Sequence, residues 1–435
     1  MHAQYWEALD WIASLRDTEV ELPRSVVEFN LPRTAEFLRL LGTPQAAYPA
    51  VVIAGTNGKG STAAMIESLL RATGLRTGLY TSPHLHSLRE RIQINRQLIS
   101  PQDLADMVTE MRPVVKRLPS VLGSLSAYEF LTALALTYFA HHQIDYAVLE
   151  IGLGGRFDAV NVVQADIAVI THISFDHTDI LGHTLDSIAY EKAGIIKPGV
   201  MTVTVPQHAT AATVLSNIAR ERDAPLFIAE PEGLRADTSA TLEPYAFEAD
   251  LKQLGLQGIV QQENARLAVA TAMLLRRNGL NMAETAFTSG MTNVFWPARF
   301  ELLQEQPLVI VDGAHNADAA HKLALSLYPY ARERRLILVL GILADKDHEA
   351  ITRPLVSAAS TVILCPVKHR RSANVDLLKN ALKPHLKGNV LVAGDPASAV
   401  TLALQLAHAD DLVCVTGSLF MAATAREVLG HAVRE

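Results

Sequence analysis

The sequence contains few cysteines, no cluster of basic residues and no long apolar run. Two cysteines occur in 435 residues, Cys365 and Cys414, each in or beside an apolar stretch and without the spacing of metal ligands. We interpret them as buried thiols in a reducing compartment. No stretch reaches the roughly 18 uninterrupted apolar residues of a membrane span, and the N-terminus lacks a basic start followed by an apolar region. These absences favour a soluble, cytoplasmic enzyme without a membrane partner.

The charges are nearly balanced. Lys and Arg number 38 against 45 Asp and Glu, which gives a net charge of −7. Because a nucleic-acid-binding protein carries a concentrated positive surface, this composition predicts no nucleic-acid partner. Any anionic ligand must then be bound by a few residues at one site rather than by a positively charged surface. The chain is longer than one hydrophobic core usually serves, so the sequence predicts two domains.

Short β-branched runs alternate with helical patterns along most of the chain. This alternation is typical of βαβ units and predicts an α/β fold with mainly parallel sheets. In the first part, strands are predicted at 50–54, 76–80, 146–150, 166–170 and 200–205, and helices at 61–73, 101–118, 128–141, 185–193 and 210–222. The pattern loosens over 230–257, where we expect a small irregular sheet, and a clear helix follows over 261–278.

The segment 295–300 predicts a domain boundary, because its proline stops the preceding helix and a new series of strands and helices begins soon after. Downstream strands are predicted at 308–311, 336–340, 361–364, 390–393 and 412–415. We therefore expect one domain over 1–296 and a smaller, doubly wound domain over 297–435.

A glycine-rich turn follows the first apolar strand. It consists of Gly55, Thr56, Asn57, Gly58, Lys59, Gly60 and Ser61. Glycines allow backbone N–H groups to point at phosphate oxygens, the lysine adds a positive charge, and a hydroxyl can reach Mg²⁺ at the start of the next helix. Ile53 stands where the usual P-loop has its first glycine, and Gly60 separates Lys59 from Ser61. The alternative is a glycine-rich turn with a surface lysine.

Polar side chains follow other predicted strands. Glu150 ends one strand before a second glycine cluster, and Asp176, His177 and Asp179 follow the next. Because ligands bind at the carboxyl edge of open α/β sheets, these residues are candidate Mg²⁺ ligands. A charge that simply ends a strand is the alternative for Glu150. From helix rules alone, Lys192 is a favourable cation near a helix end.

The second part repeats the pattern of strand, carboxylate and tight turn at Asp312 to Asn316. Arg299, in the segment before it, and Asn264, on the 261–278 helix, are candidates to contact a nucleotide, although Asn264 alone would be read as an ordinary polar residue on a helix. The turn 341–348 is equally well a surface loop or a site for a small charged substrate.

Several segments together resemble one enzyme family. They are Gly-Thr-Asn-Gly-Lys-Gly-Ser at 55–61, Thr-Ser-Pro-His at 81–84, Glu-Ile-Gly-Leu-Gly-Gly-Arg-Phe-Asp at 150–158, Asp-His-Thr-Asp at 176–179, Glu-Lys-Ala-Gly-Ile at 191–195 and Asp-Gly-Ala-His-Asn at 312–316. In this order they resemble the folylpolyglutamate synthase and dihydrofolate synthase family of the Mur ligase superfamily, in particular its bifunctional bacterial members. The resemblance implies an N-terminal P-loop ATPase domain, a C-terminal Rossmann-like domain and ATP-dependent ligation of L-glutamate.

The resemblance also implies residue roles. The nucleotide contacts would be Asn57, Gly58, Lys59, Gly60, Ser61, Asn264, Arg299 and Asp312. The Mg²⁺ ligands would be Ser82, Glu150 and His177, and Lys192 matches a lysine that is often carbamylated in this family and would then meet a second Mg²⁺. Lys59, His177 and Lys192 are thereby the predicted catalytic residues. One departure is Ala298, since Pro-Ala-Arg-Phe replaces the commoner Pro-Gly-Arg-Phe, and this predicts a stiffer linker.

A pteroate pocket is implied by resemblance to bifunctional relatives. Its residues would be Phe29, Arg33, Ser126, Tyr128, Glu129, Phe157, Asp158 and Ala159, and we assign His315 to substrate binding as well. The early segment has Phe29 and Asn30 in place of the usual leucine and glycine, so the acceptance of dihydropteroate stays open.

The predicted reaction joins L-glutamate to dihydropteroate, to reduced folates, or to both, through an acyl phosphate formed from ATP with Mg²⁺, in a monomeric enzyme. Another Mur-type ligase, acting on a cell-wall precursor or a poly-amino-acid, is the first alternative. A nucleotide-gated binding protein is a remote one, since no Asn-Lys-x-Asp guanine-reading motif occurs.

Overall fold

The computed structural model describes residues 2–17, 30–237 and 253–433. The chain forms two compact units. The first comprises Met1–His84, Leu88–Leu254 and Glu263–Val294, and the second comprises Leu85–Ser87, Gly255–Gln262 and Phe295–Glu435. The predicted irregular sheet over 230–257 lies partly outside the described residues, and the predicted pocket residue Phe29 lies wholly outside them.

The first unit is built on a mainly parallel sheet. Its strands are β1 (Ala50–Ala54), β2 (Thr77–Tyr80), β3 (Ile92–Ile94), β4 (Gln97–Leu98), β5 (Tyr146–Glu150), β6 (Ile167–Ile170), β7 (Met201–Thr204), β8 (Leu226–Glu230) and β9 (Gly233–Ala236). Among the described residues their order is β4-β3-β2-β5-β1-β6-β7-β8-β9. The six strands from β2 to β8 are parallel, and antiparallel pairs form both edges. The central strands β1 and β5 are buried throughout, as apolar strands covered on both faces should be.

Helices cover this sheet. They are α1 (His2–Ala13), α2 (Leu31–Leu40), α3 (Lys59–Ala72), α4 (Pro101–Val115), α5 (Ala127–His141), α6 (Thr178–Leu181), α7 (Leu185–Lys192), α8 (Ala209–Glu221), α9 (Ile259–Arg277) and α10 (Glu284–Thr292), of which α9 has its first four residues in the second unit. Local sequence sets several of their beginnings. Ser126 and Glu129 form a capping box at the start of α5, and Asn30 accepts a hydrogen bond from the backbone N–H of Arg33 at the start of α2.

The second unit contains a smaller sheet. Its strands are β10 (Glu301–Glu305), β11 (Leu308–Val311), β12 (Leu336–Leu340), β13 (Ala359–Leu364), β14 (Asn389–Val392) and β15 (Leu412–Thr416), and its helices are α11 (Ala317–Ala331), α12 (His348–Val356), α13 (Val375–Leu382), α14 (Pro396–Leu406) and α15 (Leu419–Val428). In the described part of the chain the order is β10-β11-β15-β12-β13-β14, and only the β10–β11 pair is antiparallel. Crossover helices joining parallel strands make this unit Rossmann-like, as the sequence predicted.

Cys365 and Cys414 are both buried and unbonded to each other, as expected of structural thiols. The sequence prediction missed the strand β8 and the antiparallel edge strands β3, β4 and β10. The last three are short or carry charged and amide residues rather than β-branched ones. None of the described helices has both the length and the apolar character needed to span a membrane.

Helices α3 and α10 pack unusually closely at Gly290. The Ser68 hydroxyl donates a hydrogen bond to the Gly290 carbonyl at 2.7 Å, and a Cβ at Gly290 would lie 2.8 Å from the Leu69 Cα. Backbone atoms cannot move aside as a flexible side chain can, so the closeness of these two helices depends on glycine.

We therefore expect Gly290→Ala to lower the free energy of unfolding by about 1–3 kcal/mol through overpacking. Helix propensity alone would favour alanine by up to ~1 kcal/mol, so the sign of the change tests the contact. Urea unfolding followed by circular dichroism measures it. Gly394→Ala is the control, because a Cβ at Gly394 meets nothing within 4 Å. A Gly290→Ala protein as stable as the wild type would show that the helices have room to spare.

Candidate active site

The predicted phosphate loop connects β1 directly to α3. Gly55 has φ +145° and Gly58 has φ +88°, conformations that side-chain-bearing residues rarely adopt. A Cβ at Gly55 would lie 1.8 Å from the Thr171 hydroxyl oxygen, just past the end of β6. Two of the loop's glycines are therefore required by backbone conformation, and at Gly55 the close contact with Thr171 is a second reason.

The loop is fastened to the segment that follows β6. The Thr56 backbone N–H donates to the His172 carbonyl at 3.0 Å. The Thr56 hydroxyl donates to the Ser174 carbonyl at 3.0 Å and accepts from the Ser174 backbone N–H at 3.1 Å. Sequence reasoning did not single out Thr171 or Ser174. The sequence signal for this contact was Gly55, because a glycine at the end of a strand indicates that another part of the backbone packs closely against it.

Two lysines converge on one carbonyl oxygen of this loop. The Lys192 ammonium donates to the Gly55 carbonyl at 2.8 Å, and the Lys59 ammonium donates to the same carbonyl and to that of Thr56 at 3.3 Å each. Burial, together with the nearby charge of Lys59, lowers the pKa of Lys192 to about 7, although Asp176 and Glu191 partly oppose this. Near neutral pH, a substantial fraction of Lys192 is therefore the uncharged amine.

The predicted metal ligands Ser82 and Glu150 lie side by side. They follow β2 and end β5, which are parallel neighbours, and the Glu150 carboxylate accepts a hydrogen bond from the Ser82 backbone N–H at 3.2 Å. Glu150 is buried. Across the described residues, no three His, Cys, Asp or Glu side chains are grouped so that they could hold a metal ion by themselves.

This donor set still fits Mg²⁺. A carboxylate and a serine hydroxyl are hard oxygen donors, and Mg²⁺ usually keeps several waters and takes phosphate oxygens rather than filling its shell with protein groups. His177, the third predicted ligand, stands just before α6 with φ +50°, and its backbone N–H donates to the Asp176 carboxylate at 2.9 Å.

Helix α9 brings Asn264 to the phosphate loop. A Cβ at Gly58 would lie 2.3 Å from the Asn264 side-chain oxygen, and Asn264 is buried. The amide group thus lies directly against the loop backbone. By its sequence context alone, Asn264 is an ordinary polar residue on a helix. The contact with Gly58 places it at the predicted nucleotide site.

In the second unit, Arg299, Asp312 and His315 lie together around the turn after β11. The Asp312 carboxylate accepts from the backbone N–H groups of Phe300 and Ala314, each at 2.8 Å. Burial raises the pKa of Asp312, although the Arg299 charge opposes this. A Cβ at Gly313 would lie 2.7 Å from the Arg299 guanidinium, so the arginine crosses the turn closely.

His315 is held by the same turn, with its Nδ1 2.9 Å from the Gly313 carbonyl oxygen. Because a carbonyl oxygen can only accept a hydrogen bond, Nδ1 carries the proton and Nε2 is left as the acceptor of the neutral ring. The turn thereby fixes the tautomer of the predicted substrate-binding histidine.

Among the predicted pocket residues, Arg33, Ser126 and Glu129 form one ion-paired cluster. The Arg33 guanidinium donates to the Glu129 carboxylate at 2.7 to 3.1 Å and to the Leu122 carbonyl at 3.0 Å. The Ser126 backbone and hydroxyl both donate to Glu129 at 2.8 Å. These contacts join α2 to α5 and explain the residues structurally, so their role in binding substrate stays a prediction.

Tyr128 and Asp158 hold the glycine-rich loop that follows Glu150. The Tyr128 hydroxyl donates to Asp158 at 3.1 Å, and Asp158 also accepts from the backbone N–H groups of Gly152, Leu153 and Val160. Burial raises the pKa of Asp158 to about 6, against the opposing effect of these hydrogen bonds. Phe157 is half-buried and Ala159 is buried on either side of it.

Comparison with known proteins identifies the family. The model for the Mur ligase middle domain matches residues 126–272, and the model for the Mur ligase glutamate ligase domain matches residues 298–419. The chain is 33% identical over 418 residues to the dihydrofolate synthase/folylpolyglutamate synthase of Bacillus subtilis (strain 168), covering 93% of this chain and 95% of that protein. The chain belongs to the dihydrofolate synthase/folylpolyglutamate synthase family.

Solved structures agree with this assignment. Mycobacterium tuberculosis folylpolyglutamate synthase complexed with ADP superposes with a TM-score of 0.87 at 32% identity, covering 99% of each chain. E. coli FolC in complex with DHPP and ADP superposes with a TM-score of 0.80 at 30% identity, covering 97% of each chain. The predicted family, the α/β fold and the assignment as an ATP-dependent ligase are confirmed.

The Gly58–Asn264 contact generates a test of the nucleotide site in this synthase. Gly58→Ala would force the Asn264 amide away from the loop, so we expect the affinity for ADP, measured by calorimetry, to fall by roughly tenfold or more, which is about 1.4 kcal/mol. Gly74→Ala is the matched control, since Gly74 has a similar φ of +92° with nothing within 4 Å of its Cβ position. Equal losses of affinity in both variants would contradict a specific role for the contact.

Proposed function

We propose that this synthase joins L-glutamate both to dihydropteroate and to the γ-carboxylate of reduced folates, using ATP and releasing ADP and phosphate. The observation that carries the proposal is the single sheet edge at which the phosphate loop, Lys59, Lys192, Ser82 and Glu150 lie together. The names of the B. subtilis relative and of the E. coli complex with DHPP and ADP support the acceptor class.

The chemistry requires activation of a carboxylate. A carboxylate is a poor electrophile, so ATP first converts the acceptor's carboxylate into an acyl phosphate, and the glutamate amine then attacks that carbonyl and expels phosphate. Catalysis of such a phosphoryl transfer is mostly positioning and electrostatic stabilisation. Lys59 supplies a positive charge beside the loop. In the proposed mechanism no enzyme nucleophile forms a bond with the substrate.

We assign divalent-metal binding to Ser82, Glu150 and His177. Mg²⁺ bound there would neutralise phosphate charge and help to orient the nucleotide. Lys192, buried and with a lowered pKa, is proposed to be carbamylated, which would convert it from an ammonium into an anion suited to a second Mg²⁺. A buried amine that is partly neutral near pH 7 can react with carbon dioxide, whereas an ammonium cannot.

The remaining roles are assigned to both units. Asn57, Gly58, Gly60, Ser61 and Asn264 are proposed to bind the nucleotide, together with Arg299 and Asp312, and His315 is proposed to bind glutamate. We propose residues 1–296 as the ATP-binding domain with the acceptor pocket and 297–435 as the glutamate ligase domain. A monomeric state, a cytoplasmic location and the absence of nucleic-acid and membrane partners remain predictions.

The direct test is mass spectrometry of products formed from ATP, Mg²⁺ and L-glutamate with dihydropteroate or tetrahydrofolate in separate reactions. We expect a glutamate adduct from each acceptor, and Lys59→Ala to lower kcat by roughly 100-fold or more, because the loop charge next to the transferred phosphoryl group is removed. Lys116→Ala is the control, because Lys116 is an exposed lysine at the end of helix α4. Product from tetrahydrofolate alone would restrict the enzyme to folylpolyglutamate synthesis. Product from neither acceptor would contradict the proposal and favour another Mur-type substrate.

Carbamylation of Lys192 is tested by chemical rescue. We expect Lys192→Ala to lose most activity and to recover part of it with added formate or acetate, because a small carboxylate can replace the anion of a carbamate. Lys192→Arg keeps the positive charge and should gain nothing from formate. Recovery of the alanine variant with methylammonium instead would mean that the lysine acts as a cation.

A further inference from the structure

Arg156 makes three contacts with the end of helix α7. Its backbone N–H donates to the Glu191 carbonyl at 2.9 Å, its guanidinium donates to the Tyr190 carbonyl at 3.1 Å, and the guanidinium carbon lies 4.0 Å from the centroid of the Tyr190 ring. Tyr190 is 51% exposed, so its ring contacts the Arg156 guanidinium at the surface rather than within the hydrophobic core. The two residues contacted immediately precede Lys192, the last residue of α7.

Two glycines bring the backbones together at this point. A Cβ at Gly155 would lie 2.8 Å from the carbonyl oxygens of both Glu191 and Lys192, and one at Gly194 would lie 2.3 Å from the Arg156 Cα. The buried Asn161 amide then donates to the Arg156 carbonyl at 3.0 Å and to the Gly194 carbonyl at 3.2 Å. The loop and the helix end are therefore fixed to each other on both sides of Lys192.

The chemistry of a helix end explains why an arginine fits here. The last carbonyls of an α-helix lack partners within the helix and carry partial negative charge. The Arg156 guanidinium donates to one of these carbonyls, that of Tyr190, and places a positive charge beside the others, and the Tyr190 ring adds a cation–π contact. Helix α7 has eight residues and continues into a 3₁₀ turn over Ala193–Ile195, so the helix type changes directly after Lys192.

The position of that turn decides where Lys192 points. The Lys192 ammonium reaches the Gly55 carbonyl at 2.8 Å from inside the protein, where it is 4% exposed. We propose that Arg156 is a positioning residue for the phosphate site: by holding the last turn of α7 through Tyr190, it keeps Lys192 against the phosphate loop. The catalytic part of this inference rests on the proposed ligase function.

The test uses Arg156→Ala, Arg156→Lys, Tyr190→Ala and Tyr190→Phe in the full chain. We expect Arg156→Ala to lower kcat for glutamate addition to tetrahydrofolate by roughly 10- to 100-fold, while the KM for ATP stays near the wild-type value, because a misplaced group is lost from catalysis rather than from nucleotide binding. Arg156→Lys should recover part of kcat. Tyr190→Phe, which keeps ring and carbonyl, should behave as wild type, and Tyr190→Ala should be impaired.

Hydrogen exchange measured by mass spectrometry supplies a readout independent of activity. Amides in 188–196 should exchange faster in Arg156→Ala and Tyr190→Ala than in the wild type. Arg332→Ala is the matched control, because it removes a guanidinium 5.9 Å from the Tyr328 ring in the other compact unit.

The inference is overturned if Arg156→Ala keeps both wild-type kcat and wild-type exchange over 188–196. It is also overturned if kcat falls equally in Arg332→Ala, since the loss would then report general stability. If Arg156→Ala does not fold, the difference between Tyr190→Ala and Tyr190→Phe decides by the same readouts. A wild-type protein that forms no glutamate adduct would contradict the proposed function, and the exchange data would still decide whether Arg156 fixes the end of α7.

Discussion

The carbonyl oxygen of Gly55 accepts hydrogen bonds from the amino groups of Lys59 and Lys192, and this contact connects the end of α7 to the phosphate loop. Burial of Lys192 and, to a smaller extent, the nearby charge of Lys59 lower the pKa of Lys192, because both disfavour its ammonium form. The arrangement is electrostatically suited to an anion. While Lys192 is unmodified, phosphate oxygens beside the loop would reduce the repulsion between the two lysines, and the proposed carbamate of Lys192 would remove it.

Parallel pairing explains how residues far apart in sequence reach this place. The strands β2, β5, β1 and β6 are adjacent and parallel, so all of their carboxyl ends open at one edge. Ser82, the phosphate loop and Thr171 follow those ends, and Glu150 is the last residue of β5. Each lies at or directly after the end of a strand. The rigid strands therefore determine where the site residues lie.

The sequence predicted most strands of both sheets to within two residues, because central parallel strands are apolar throughout and are bounded by clear turn residues. It did not predict the parallel strand β8 or the antiparallel strands β3, β4 and β10, the last three of which are short or carry charged and amide residues. For the site, the sequence predicted the phosphate loop because Gly55 and Gly58 have positive φ values that favour glycine, and glycines in a turn are visible in the sequence. The contact of Asn264 with Gly58, the fastening of Thr56 to Ser174 and the contact of Arg156 with Tyr190 depend on which loops meet in space, which local patterns do not encode.

Ala298 shows how a residue that departs from the family pattern is accommodated. It has φ +58°, in the left-handed region, where alanine costs roughly 1–2 kcal/mol more than the glycine that the family resemblance predicts. Its backbone N–H donates to the Glu301 carboxylate at 2.7 Å, and its carbonyl accepts from the Arg299 guanidinium at 2.9 Å and from the Gly313 backbone at 3.0 Å. These three hydrogen bonds hold the backbone in this conformation, and each contributes about 1 kcal/mol. Since one of them is made by Arg299, the same contacts that hold the strained alanine also orient the arginine beside Asp312. A glycine at this position would relieve the strain and widen the range of backbone conformations open to the segment before Arg299.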